Sequence, residues 1–177
     1  MFSYIDKDKI ISPKGTTLRT AGIIPKPLAE LSREEVFSQK HLAFGKLAFA
    51  DKLAFSAAAI AIENANIENP ENCGILLNTN IGSLFRDREF MASIKQNQPS
   101  PALFSATLPS SPIAEIAIIF GLKGANKIIF ADSESAKKTA NLMLADGCNE
   151  LLFVNINIPE NPNEIENSFA EARLLKS

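Results

Sequence analysis

Residues 128–140 read IIFADSESAKKTA, and how this stretch folds decides the architecture. Apolar, strand-forming residues stop at Ala131. Asp132 and Ser133 then make a polar turn, and small and charged residues follow at helical spacing. A buried strand turning directly into a helix is the junction on which many enzymes raise a nucleophile. At about 100° per residue, Glu134, Lys137, Lys138 and Asn141 fall on one side of the helix, and Ala136, Ala140, Leu142, Met143 and Leu144 on the other. One side expects a sheet; the other expects water or a polar partner. Glu134 and Lys138 stand in the favourable i,i+4 order.

The same alternation extends in both directions along the chain. ELLFVNI (150–156) reads as the next strand, after a helix closed by Gly147. Upstream, IAEIAIIFGL (113–122) is helical and ends at Gly121 and Gly124. CGILLNT (73–79) is a continuous apolar run of strand length, as expected for a central parallel strand covered on both faces. KLAFADKLAFSAAAIAIENA (46–65) has no proline or glycine and should be a helix covered on most of its circumference. Gly82 opens a polar helical stretch. PSPALFSATLPSSP (99–112) holds four prolines and should be mostly extended or turning. Strands alternating with helices imply an α/β fold, a mainly parallel mixed sheet of about five strands with helices packed on it.

The ends are less regular. The first forty residues are polar and proline-punctuated, with a short strand expected near residues 2–5. The segment from Pro159 onward is rich in Asn, Glu and Pro, with a weak helix expected near residues 164–175. The whole of 1–177 is read as one domain with its core at about 42–156, a lead-in over 1–41 and a polar tail over 159–177.

Composition narrows the function. The chain has 177 residues, net charge -2, 46% hydrophobic and 21% charged residues, no Trp and one Tyr. Neither a basic field nor aromatic stacking platforms are available for nucleic acid. The longest apolar run, LAFSAAAIAI (53–62), is far short of the roughly 20 residues that span a membrane. Two widely separated cysteines and one histidine, His41, give no metal spacing, so no metal and no cofactor is expected. MFSYIDKDK lacks the order of a secretory signal, and the expected compartment is the cytoplasm.

Three segments in fixed order resemble β-ketoacyl synthases. FADKLAFSAAAIAIENANIE with CGILLNTNIGS is similar to their long alanine-rich helix and the strand leading to a Gly-Thr-Gly turn. SPALFSATLPSSPIAEIAIIFGLKGAN resembles their proline-bearing segment and following helix, and KIIFADSESAKKTANLMLADGCNELLFV their nucleophile elbow. The resemblance covers residues 42–156 and implies the N-terminal half of a thiolase-like fold. It also implies a pairing surface, because in that family the strand before the elbow, here running from Lys127 to Ala131, meets its twofold mate.

The resemblance breaks at the chemistry. Where the family places a cysteine, this chain has Asp132 or Ser133, and the second half that supplies the family's other catalytic residues is not expected in a chain ending at Ser177. Asp132 is a poor acyl acceptor, and a serine needs an adjacent base. Capping of the helix explains both residues without chemistry.

Thr79, Asn80 and Gly82 occupy the strand-end turn, as structural residues first and ligand-lining ones second. Thr79, Asp132, Ser133 and Ser135 are the candidate binding residues. Cys73 and Cys148 precede strands, at the wrong end of the sheet for elbow chemistry, and read as buried structural cysteines. His41 reads as a surface residue.

The function that follows is a non-catalytic, ketosynthase-like accessory protein in fatty-acid or polyketide assembly, a pseudoenzyme paired with itself or with a full-length synthase. The scatter of Lys7, Lys9, Lys14, Arg19 and Lys26 could attract an acidic acyl carrier protein and is equally what any solvated segment looks like. The alternatives are a small acyltransferase of the 3-oxoacyl synthase type using Ser133 or Asp132, and a scaffold that retains only the fold.

Overall fold

The structure, a computed structural model, describes residues 4–6, 9–11, 23–25, 33–37, 41, 44–63, 65, 67–161, 163–164 and 168–177. Phe2, Lys7, Lys14, Arg19 and Lys26 lie outside the described residues. Its central element is α1 (Phe49–Glu63), in which every residue from position 51 to position 60 is buried. Five of those ten are alanine or serine, so neighbouring elements approach the helix closely. Even Lys52 is buried, its ammonium 5.0 Å from the centre of the Phe44 ring.

β4 (Cys73–Thr79) is buried along its whole length. It runs parallel to β5 (Asn126–Ile129) on one side and to β6 (Glu150–Asn157) on the other. β7 (Phe169–Lys176) pairs antiparallel with β6, giving the order β5-β4-β6-β7. The expected α/β architecture is thus present as a mixed, mostly parallel four-stranded sheet. Three short strands, β1 (Tyr4–Asp6), β2 (Lys9–Ile11) and β3 (Ile23–Pro25), form a separate antiparallel sheet, with β2 beside β7.

Alternation along the strands sorts the core into two faces. Cys73, Ile75 and Leu77 of β4 join Leu152, Val154 and Ile156 of β6 in the larger core, packed under α1 and α4 (Ser111–Phe120). Leu76 and Leu151 face the opposite way, onto Ala140 and Met143 of α5 (Ser133–Ala145). Glu150 is buried where β6 starts. One of its oxygens accepts the N–H groups of Glu68 and Asn69 at 2.9 and 3.0 Å, and the other lies 3.2 Å from the Lys176 ammonium. Burial alone would raise this carboxyl. The bonds from Asn69, Lys176 and Glu68 outweigh it and hold its pKa below the usual range.

Three expectations need correction. The weak terminal helix is β7. FAEARLLK carries good helix formers, but Ala170, Ala172 and Leu174 alternate into the core beneath α1, and β6 supplies the hydrogen-bonding partner. The proline-rich segment contains α3 (Pro101–Ser105). Pro101 takes the first helical position, where its missing N–H costs nothing, and the Ser100 side chain accepts from the Leu103 N–H. Leu142, placed by the wheel with the apolar side of α5, is exposed.

Candidate functional site

The turn after β5 is built from the cap outward. Asp132 is the N-cap of α5, with extended backbone (φ -66°, ψ 165°). Its Oδ1 accepts the N–H groups of Glu134 and Ser135 at 2.9 and 2.8 Å, and its Oδ2 accepts the Ser135 hydroxyl at 2.9 Å. The Ser135 N–H and hydroxyl, then the Glu134 N–H, hold this exposed carboxyl below the ordinary aspartate range. It is a fixed anion fully engaged by its own helix. Ser133 is exposed and lines an open groove beside α5.

The turn is held from below by a polar rung that crosses three strands. Asn78 Nδ2 donates to the Ala131 carbonyl at 3.1 Å and to Asn155 Oδ1 at 2.9 Å, and Asn78 Oδ1 accepts the Ala131 N–H at 3.0 Å. Asn155 Nδ2 in turn reaches Glu171 Oε1 at 3.2 Å. The register explains the alignment, since Asn78 is opposite Asn155 and Asn155 opposite Glu171. These two asparagines were not among the sequence candidates. A polar residue near a strand end reads as the strand stopping, and the pairing that unites them exists only across the sheet.

Between α5 and the outer face of β6 and β7 lies a groove of about 390 Å³, lined by Ser133, Lys137, Asn141, Phe153 and Arg173 among others. The side chains of Glu134, Lys137, Lys138 and Asn141 all point to solvent, as the helical wheel predicts, with Lys138 and Glu134 in an exposed ion pair at 2.7 Å.

Thr79 belongs to the opposite face. It is buried, its hydroxyl accepting the Gly82 N–H at 3.1 Å and the Ile81 N–H at 3.4 Å, which closes the turn after β4. The sheet therefore stands between Thr79 and the cluster of Asp132, Ser133 and Ser135. Asn80 pins the far side of that turn through two bonds to the Ile158 backbone, at 2.8 and 2.9 Å. Cys73 and Cys148 are buried free thiols. Burial first, and then the Glu150 charge, push the Cys73 thiol up to about 11, so it is protonated and inert at neutral pH.

His41 is not a surface residue. It is buried against Phe55 and Phe44, with ring centroids 4.7 and 5.9 Å away, on the α1 side of the sheet. Its Nε2 lies 3.1 Å from Glu115 Oε1 without the alignment of a hydrogen bond. Ser133 thus has no histidine base within reach, since this is the only histidine in the chain. Among the described residues no cluster of three or more His, Cys, Asp or Glu side chains is arranged to hold a metal.

Burial is the largest influence on His41 and lowers its pKa. Glu115 opposes the shift and Arg33 adds to it. The folded value lies below the unfolded 6.5, so the folded chain binds fewer protons than the unfolded one. The resulting stability is complete above about pH 6.5 and drains away as pH falls through the folded value. Urea unfolding should therefore show stability declining from pH 7.5 toward 5.5, and His41→Phe should flatten that slope. An equally steep slope in the variant would remove His41 as its source.

The three-layer arrangement, with a parallel β5-β4-β6 core, a capped elbow after β5 and a buried alanine-rich helix, is a ketosynthase-like fold. No family model matches the chain, and no curated protein matches it. Among solved structures it is similar to a chain of the ketosynthase (ApeO) in complex with its chain length factor (ApeC) from Xenorhabdus doucetiae, with TM-score 0.66 and 17% sequence identity. The likeness covers 80% of this chain and 63% of that chain. At this identity the shared property is the fold. No described helix is long and apolar enough to cross a membrane.

Proposed function

We propose that this chain is a non-catalytic, ketosynthase-like subunit of acyl-chain assembly, acting by pairing with a second thiolase-type chain through the open edge of β5. The partner is a second copy or a full-length synthase, with an acyl carrier protein as the further contact in the same cytoplasmic pathway. The observation that carries the reading is the state of that edge. Among the described residues β5 pairs with β4 alone. Beside it stand Phe130, 61% exposed, and Leu142, 69% exposed. An uncovered strand edge flanked by large apolar side chains is a surface that associates. That the similar solved structure is itself a complex of two named proteins supports the same reading.

The elbow supports the non-catalytic part. Asp132 spends its carboxylate on capping, and Ser133 has no histidine base, the one histidine being buried on the α1 side of the sheet. The second reading, a small acyltransferase acting through Ser133, rests on that hydroxyl being open to the groove beside α5.

Ile75 is opposite Asn126, and its N–H bonds the Ala125 carbonyl at 3.0 Å. This parallel register turns the Ile128 N–H toward the open side. Ile128→Pro removes that donor while sparing the bonds to β4. Sedimentation velocity at micromolar concentration should show a dimer, or capture by a full-length ketosynthase, for the parent chain and a loss of at least tenfold in association for the variant. A parent chain that stays monomeric and captures no synthase would end the pairing reading. Incubation with an acyl thioester should leave the intact mass unchanged; an acyl adduct on Ser133 would replace this reading with the second.

A further inference from the structure

On the α1 side of the sheet, away from the elbow groove, a crevice of about 400 Å³ opens where the first turn of α1, the turn after β4, α2 (Leu84–Lys95) and the α3–α4 connection meet. Its walls are largely apolar, from Phe49, Phe85, Leu108, Pro109 and Pro112. The volume is in the range of about 300–1,000 Å³ typical of small-molecule sites.

One charged side chain in it is nearly removed from water. Asp51 is 8% exposed and lines the crevice. Its Oδ2 accepts the Ser111 hydroxyl at 3.0 Å, while Oδ1 has no hydrogen-bond partner among the described residues. Burial raises its pKa above the ordinary aspartate value; the Ser111 bond and Arg86 offset part of this, and Glu115 adds to it. A carboxylate half-satisfied in an apolar crevice is costly unless a donor arrives.

Two arginines line the crevice beside it. Arg86 pairs with Glu89, and Arg88 donates to the Glu160 carbonyl at 3.0 Å with its guanidinium over the Phe85 ring. At the buried end of the crevice the open acceptor is Asp51 Oδ1, so that end favours a ligand group that donates over one that is itself a carboxylate.

We propose that this crevice binds a small amphipathic molecule, an apolar body ending in a hydroxyl or amine that donates to Asp51. The proposal does not rest on the pairing reading.

The test is a titration of the isotope-labelled full chain with 1-octanol, octylamine and octanoate, followed by amide chemical shifts. Octanol, octylamine or both should move the amides of Asp51, Phe85 and Leu108, the choice between them showing whether a neutral or cationic donor is preferred. Octanoate should bind about tenfold more weakly or worse, because its carboxylate meets another. Asp51→Asn should weaken octylamine by about tenfold. Ala106→Trp, which puts a bulky ring into the crevice wall and leaves Asp51 in place, should abolish binding of every probe and guards against a folding defect in the first variant. The proposal is overturned if no probe binds, if octanoate binds as well as the donors, if the shifts map elsewhere, or if Ala106→Trp titrates like the parent.

Discussion

Replacing Phe55 with alanine should lower the unfolding free energy by about 3–5 kcal/mol, the usual cost of deleting a fully buried phenylalanine. Phe55 lies mid-way along α1 with no exposed surface. Its ring meets Phe37 edge-on at 5.6 Å, Phe44 at 5.9 Å and His41 at 4.7 Å, and stacks on Phe120 at 5.7 Å. It therefore ties the lead-in before α1 to α4 across the helix. Its loss leaves a cavity bounded by rigid aromatic neighbours that cannot close over it. Urea unfolding should show a lower midpoint with an unchanged slope. A loss under about 1 kcal/mol would mean that the cluster repacks, contrary to the close packing described.

The second large effect is expected at Gly124. A Cβ added there would stand 2.5 Å from the Cys73 carbonyl carbon and 2.6 Å from both the Cys73 oxygen and the Gly74 nitrogen. All three atoms are backbone of the central strand, so no side chain can swing aside. Gly124→Ala should cost about 3 kcal/mol, the upper part of the usual range for overpacking, and should displace the entry to β5. Hydrogen exchange should then quicken selectively at the β5 amides. Gly45→Ala is the control, because a Cβ there meets nothing within 4 Å. Equal stability of the two variants would show that the β4–β5 junction is slack.

Much of this architecture is legible in residue order. α1, β4, α4, β5, α5 and β6 announce themselves through uninterrupted apolar runs, the Asp132 cap and terminal glycines, signals that are local to each segment. The Asp132 cap can be inferred from residue type alone because its partners lie two and three residues on.

What stayed hidden depends on distant partners. β7 is a strand because β6 offers an edge, whatever the helix propensity of Ala, Glu and Leu. His41 is buried because Phe55 and Glu115 come to meet it from α1 and α4, and nothing in its polar surroundings in sequence reveals that. The rung of Asn78, Asn155 and Glu171 is assembled by strand register. The crevice over Asp51 combines four separate segments.

The two flanks of the main sheet differ in kind. On one, β7 reverses direction and β2 lies against it; on the other, among the described residues, no strand lies beyond β5. A sheet receptive on one flank alone can take on a single neighbour, and a neighbour of the same kind uses up its own receptive flank in doing so. Under the proposed pairing, growth through this route would terminate at two chains, unlike the runaway stacking that unguarded strands invite.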